Sequence, residues 1–102
     1  MLTTSPRLDV LHRLGRALAD PTRSRILLRL LDGPAYPGEL ADELDLTRPN
    51  VSNHLTCLRG CGLVDGTPEG RRVRYELSDG ALAQGLRELL DSTAVALDCE
   101  PG

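Results

Sequence analysis

The 102-residue sequence predicts a mainly α fold with one β-hairpin, in the order α-α-α-α-β-β-α, dimeric through its terminal helices. Three observations predict it. Two short amphipathic segments, 36–44 and 47–60, are separated by a tight connection of about three residues, the spacing of a helix-turn-helix. Directly after them, over 63–77, the apolar period changes from helical to alternating, with turn residues between two arms. The flanking segments 8–19 and 79–97 carry apolar stripes that a chain this short has little core left to cover. A helix-turn-helix followed at once by a hairpin is a winged helix-turn-helix, here a single domain spanning 1–102.

Residues 1–7 read as a short tail. From Leu8 onward Val10, Leu11, Leu14, Ala17 and Leu18 fall at helical spacing. Asp20-Pro21 interrupts that pattern, because the residue before proline avoids the helical region. Asp20 can then cap a second helix that has Pro21 at its first position. This helix carries Ile26, Leu27, Leu30 and Leu31 and stops at Gly33-Pro34. Tyr36 to Leu44 forms the third helix, and Asp45-Leu46-Thr47 connects it to the fourth. Thr47 caps that fourth helix ahead of Pro49, while Val51, Leu55 and Leu58 face the core and Gly60 and Gly62 mark its end. Leu63-Val64 begins a strand, Thr67-Pro68-Glu69-Gly70 supplies the turn, and Arg72 to Leu77 alternates as the second arm. Ser78 or Asp79 caps the last helix, where Leu82, Leu86, Leu89, Leu90, Ala94 and Leu97 keep a helical period. The tail is 98–102.

The sequence has no Phe or Trp and only two Tyr, so aliphatic side chains must build the core. Its net charge is -3, yet all 12 basic residues are Arg and they are unevenly spread. From Thr47 to Tyr75, Arg48, Arg59, Arg71, Arg72 and Arg74 face only Asp65 and Glu69, leaving +3 against -6 elsewhere. A locally basic face on an acidic body suits DNA, since counterion release depends on the contact surface and not on total charge. The start of the chain has no cleavable leader pattern, and no apolar run approaches the ~20 residues of a membrane span. A cytoplasmic protein with no membrane partner is expected.

The fourth helix carries two kinds of chemistry. Its first half holds the side chains that touch phosphates and base edges, and a recognition helix presents these to the major groove. Arg48, Asn50, Ser52, Asn53 and His54 are the expected contacts with double-stranded operator DNA. Arg71, Arg72 and Arg74 add wing charge, although alternation turns them in different directions. The second half holds Cys57 and Cys61. Four residues apart on a helix, their sulfurs share one face within reach of a single ion. An odd number of cysteines argues against a secreted disulfide framework.

The wording of the chain resembles the ArsR/SmtB family of bacterial winged-helix repressors. The matching residues are Leu18-Ala19-Asp20-Pro21-Thr22-Arg23 with Ile26-Leu27, then Val51 to Leu55, Leu58, Gly62-Leu63-Val64, and Glu69-Gly70-Arg71 with Tyr75. Within the family it is most similar to the CmtR-type cadmium/lead sensors, through Leu46-Thr47-Arg48, Asn50 to Leu55 and Cys57-Leu58-Arg59-Gly60-Cys61-Gly62-Leu63-Val64. That resemblance implies a repressor released from DNA when metal binds two recognition-helix thiolates and a third cysteine of the tail. Cys57 and Cys61 match by motif, and Cys99 matches by position. Two other metal sites of the family have no counterpart here: the third helix contains no thiol, and no His lies beyond His54. An all-thiolate, three-ligand site suits Cd(II) or Pb(II), with Zn(II), which usually takes four ligands, as the further candidate. No organic cofactor is expected.

The same residues admit other readings. The thiols could sense oxidants in an otherwise similar repressor, or Cys57 and Cys61 could be small buried hydrophobes. Cys99 could be an incidental tail thiol, its place at the ion taken by water or another side chain. A winged-helix module binding only protein is a further class. An enzyme using Cys57 with His54 would need an orienting third residue, which the sequence does not supply.

Overall fold

A computed structural model describes residues 6–92. Helix α1 (Pro6–Ala19) starts two residues before the expected boundary, because proline is at home in a first turn that needs no N–H partner. Asp20 breaks the chain direction, and its Oδ2 accepts the Arg23 N–H at 2.9 Å to cap α2 (Pro21–Leu30). Helix α3 (Pro37–Leu44) is entered through Tyr36, whose N–H donates to Glu39 Oε1 at 2.9 Å. Asp45, in the left-handed region at φ 57°, ends α3 and turns the chain toward Thr47. There the Thr47 hydroxyl accepts the Asn50 N–H at 3.2 Å and starts α4 (Arg48–Gly60).

The wing is an antiparallel pair, β1 (Val64–Glu69) and β2 (Arg72–Leu77), in register from Val64 opposite Leu77 to Glu69 opposite Arg72. The turn therefore lies at Gly70-Arg71, two residues later than Pro68 suggested. Proline is tolerated on an edge strand, and Gly70 supplies the positive φ, 65°, that the tight reversal needs. The other edge of β2 is held by Ala35, which exchanges two backbone hydrogen bonds with Tyr75 at 2.9 and 2.8 Å. Gly66 admits the Tyr75 ring: a Cβ there would lie 3.0 Å from the ring.

Asp79, not Ser78, caps α5 (Gly80–Asp91) by accepting the Leu82 N–H at 2.7 Å. Ser78 instead donates its hydroxyl to the Gly62 carbonyl at 2.7 Å, closing the base of the wing. Ala94, Leu97 and Cys99, assigned above to the last helix and the tail, lie outside the described residues.

Ile26, Leu40, Val51, Leu55 and Leu58 are fully buried, so α2, α3 and α4 wrap one aliphatic core that the base of β1 closes. No described polar residue is buried with it. Helices α1 and α5 lie at its margin and leave large side chains uncovered, Val10 and Leu11 near 60% exposed and Leu89 and Leu90 above half, with Leu28 of α2 exposed to the same degree. Two adjoining apolar grooves, sharing Leu86 and Leu89, run along this face beside Leu14 and Leu18. Among the described residues no helix is long and apolar enough to cross a membrane.

Candidate nucleic-acid interface and thiol pair

Because Val51, Leu55 and Leu58 take the inner face of α4, helical geometry turns the residues between them outward. Arg48, Asn50, Ser52 and Asn53 are all exposed. Thr56 is exposed too, but its hydroxyl is returned to the Ser52 carbonyl at 2.9 Å. His54 is set apart from the others. It is half-buried, and its Nδ1 stands 3.8 Å from Asp20 Oδ2 at the head of α2. The Arg23 N–H, chiefly, holds the Asp20 carboxyl below its ordinary value; His54 and the Arg23 charge pull the same way, and desolvation opposes them.

The wing arginines divide. Arg71 is exposed at the turn, while Arg72 places its guanidinium 3.8 Å above the Tyr36 ring. Arg74 is half-buried, its Nε 3.2 Å from Glu69 Oε2 and without hydrogen-bond alignment. The other Glu69 oxygen accepts the Tyr36 hydroxyl at 2.6 Å. This bond to a carboxylate pushes Tyr36 ionisation upward, burial adds to the rise, and Arg72 and Arg74 oppose it. Tyr36, Gly38, Arg48, Ser52, Arg71 and Arg72 together line a groove of about 600 Å³ between the recognition helix and the wing. Gly38 has a defined part in it, because a Cβ there would sit 3.1 Å from the Arg48 guanidinium. Sequence reasoning missed Tyr36, Gly38 and Glu69. The aromatic residue before the α3 proline was a signal for the first, but no spacing rule connects it to Glu69, 33 positions away.

The thiols sit on the last turn of α4. The Cys61 N–H donates to the Cys57 carbonyl at 3.0 Å, so the two residues are one turn apart on one side of the helix. Cys57 is exposed, and its Sγ accepts from Arg23 NH1 at 2.7 Å. Cys61 is half-buried at the edge of the core, facing a groove that it shares with Val10, Arg13 and Leu63. Both are free thiols; Cys57 stands clear of the core, while Cys61 packs against its edge. Among the described residues no three His, Cys, Asp or Glu side chains gather closely enough to hold a metal ion. Two accessible sulfurs on one face do fit two ligands of a soft cation. The set falls short of a complete site unless a further donor comes from outside residues 6–92, where Cys99 lies.

This geometry has relatives. The bacterial regulatory protein, arsR family, matches residues 20–65, from the α2 cap into β1. The HTH-type transcriptional regulator CmtR of Mycobacterium bovis is 62% identical over 100 residues, which cover 98% of this chain and 84% of the relative. The chain belongs to the ArsR family. As an ArsR-family protein it is a transcriptional regulator, not an enzyme, and the pairing of Cys57 with His54 as nucleophile and base falls away. The NMR structure of the cadmium metal-sensor CMTR from Mycobacterium tuberculosis is similar with a TM-score of 0.68 and 67% identity, over 80% of this chain and 85% of that one. The homodimeric winged helix-turn-helix DNA-binding domain Mb0332 from Mycobacterium bovis, a possible ArsR-family regulator, is 26% identical. It superposes with a TM-score of 0.82 over 100% of this chain and 98% of its own. The ArsR-family fold thus agrees with the winged helix-turn-helix expected from sequence.

Proposed function

We propose that this ArsR-family chain is a dimeric repressor that binds operator DNA when metal-free and releases it when its thiolates take up Cd(II) or Pb(II). The observation that carries the reading is the division of α4: exposed Arg48, Asn50, Ser52 and Asn53 at its front and two accessible sulfurs, Cys57 and Cys61, on its last turn. Similarity to a cadmium metal-sensor supports the choice of ion. Cys57 and Cys61 would hold the metal with Cys99 as the third sulfur, and the bound ion would supply a bond between the tail and the end of the recognition helix.

In the metal-free dimer the uncovered leucines of α1 and α5 bury one another across a twofold axis, which sets the two recognition helices about one DNA turn apart. Asn50 and Arg48 are suited to adenine and guanine edges, and Ser52, Asn53, Arg71 and Arg72 to phosphates and the adjoining groove. His54, drawn toward Asp20, positions α4 on its flank, and Arg74 fixes the wing through Glu69. The repressor acts in the cytoplasm, where its DNA is. Reciprocity requires DNA to weaken metal binding by the same coupling free energy, typically ~1–3 kcal/mol.

An anaerobic titration of the reduced protein with Cd(II), following thiolate-to-metal absorption with promoter DNA present, tests this. One ion per subunit and loss of DNA binding are expected, with Cys57→Ser and Cys61→Ser each keeping metal-free DNA binding and losing the response. A response retained in either variant removes that thiol from the site. No thiolate band and unchanged DNA binding in the wild type overturns the metal reading.

A further inference from the structure

Arg23 joins three helices. From the first turn of α2, its NH1 donates to Cys57 Sγ on α4 at 2.7 Å, and its NH2 donates to the Arg16 carbonyl on α1 at 3.2 Å. That carbonyl belongs to the last turn of α1, whose oxygens have no partner within their own helix. The Arg23 backbone N–H donates to Asp20 Oδ2, the oxygen that stands beside His54. Position 57 is therefore tied to the corner between α1 and α2, and position 54, one turn back on α4, stands beside that corner. The arrangement has a cost. Arg23 Nε is buried without a hydrogen-bond partner, where a freely rotating side chain would have satisfied it in water. The guanidinium is held so that its planar fork meets the sulfur and the carbonyl together.

We infer that Arg23 is a positioning residue that couples the Cys57 sulfur to α1, so that ligation of the recognition-helix thiol is felt at the dimer helix. The inference rests on the metal reading proposed above. Ligation changes both the charge on Sγ and the directions of its lone pairs. The rigid fork cannot then keep both acceptors in the metal-free geometry, and the second acceptor is the end of α1. The exposed leucines of α1 face the partner in the proposed dimer, so a shift at Arg16 alters the separation of the two recognition helices. No atom of Arg23 needs to touch DNA or metal for this.

The test uses the full-length protein with Arg23→Gln and Arg23→Lys, the latter because an ammonium keeps the charge but lacks the rigid planar fork that meets both acceptors. Both variants are expected to develop the wild-type cadmium–thiolate band at the same stoichiometry. Their metal-free DNA affinity should stay within about threefold of wild type, while the factor by which Cd(II) weakens DNA binding falls at least about fivefold, a loss of roughly 1 kcal/mol of coupling. In the absence of DNA, the Arg16 carbonyl ¹³C resonance should move on Cd(II) addition in the wild type and stay fixed in Arg23→Gln. Wild-type release of DNA by both variants overturns the inference while leaving the metal reading intact. An unmoved Arg16 resonance in the wild type, with the thiolate band fully developed, overturns it in the same way and requires no variant to fold. Absence of the thiolate band in the wild type removes the metal reading and this inference together.

Discussion

Asp20 serves two helices with one oxygen: its Oδ2 accepts the Arg23 N–H at 2.9 Å and lies 3.8 Å from His54 Nδ1. The junction of α1 with α2 thus lies against the flank of the recognition helix. The Asp20 carboxyl is held below its ordinary value of 3.8, first by that N–H. A carboxyl whose folded value is lowered stabilises the fold fully above its unfolded value, and that contribution is lost as pH falls through the lowered one. Asp20→Asn should therefore be less stable than wild type at neutral pH, and the gap should close below about pH 3.8. Chemical denaturation at a series of pH values measures it, and a gap independent of pH would refute the assignment.

Glu69 is the pin of the wing, accepting Tyr36 on one oxygen and lying beside Arg74 on the other. Tyr36 ionises later than a free tyrosine, mainly because its hydroxyl donates to that carboxylate. Glu69→Gln removes the charge that Tyr36 ionisation must oppose, so the Tyr36 transition should move down toward 10.0. Ultraviolet titration of the variant in a Tyr75→Phe background isolates the signal. The same change should loosen the Arg72 stack on Tyr36 and weaken DNA binding.

The caps of this fold were legible in the sequence because they are local. Asp20, Thr47 and Asp79 each bond an N–H three positions on. The aliphatic period of α4 was equally legible, and it set Cys57 and the polar front of the helix outside the core. The hairpin turn was misplaced because Pro68 is a strong turn signal, and only pairing with Val73 shows that it belongs to the strand. Links across 33 and 34 residues, Tyr36 with Glu69 and Arg23 with Cys57, have no local signature at all. They arise from packing, which brings α2 against α4 and the entry to α3 against the wing.

Arg71 is exposed at the tip of the wing and has no partner within the protein among its described contacts. If it meets a phosphate, Arg71→Ala should weaken binding by a similar factor for all DNA sequences and reduce the slope of log affinity against log salt by about 0.9 per subunit. Fluorescence anisotropy across a salt series reads this directly. An unchanged slope places Arg71 off the DNA.

Leu11 and Leu89 are 62% and 56% exposed, so charging them removes little from the core of one subunit. Leu11→Glu with Leu89→Glu should leave the melting transition of the monomer nearly in place while halving the mass seen by sedimentation. Operator affinity should fall by at least about 100-fold, because two half-sites can no longer be engaged by one particle. A variant that stays dimeric moves the interface elsewhere.

Eleven positions separate Asn50 from Cys61 on a single uninterrupted helix. At a rise of 1.5 Å per residue that is a rod of about 16 Å, with base-edge chemistry at one end and sulfur at the other. A tilt of roughly 10° about the sulfur end would carry Asn50 by ~3 Å, several times the spread that a hydrogen bond tolerates. Under the proposed function, such leverage would convert a small rearrangement at a thiol into loss of an entire set of contacts. In the proposed sensor, sensing and reading would need no separate relay domain, because both ends of the lever belong to one short helix.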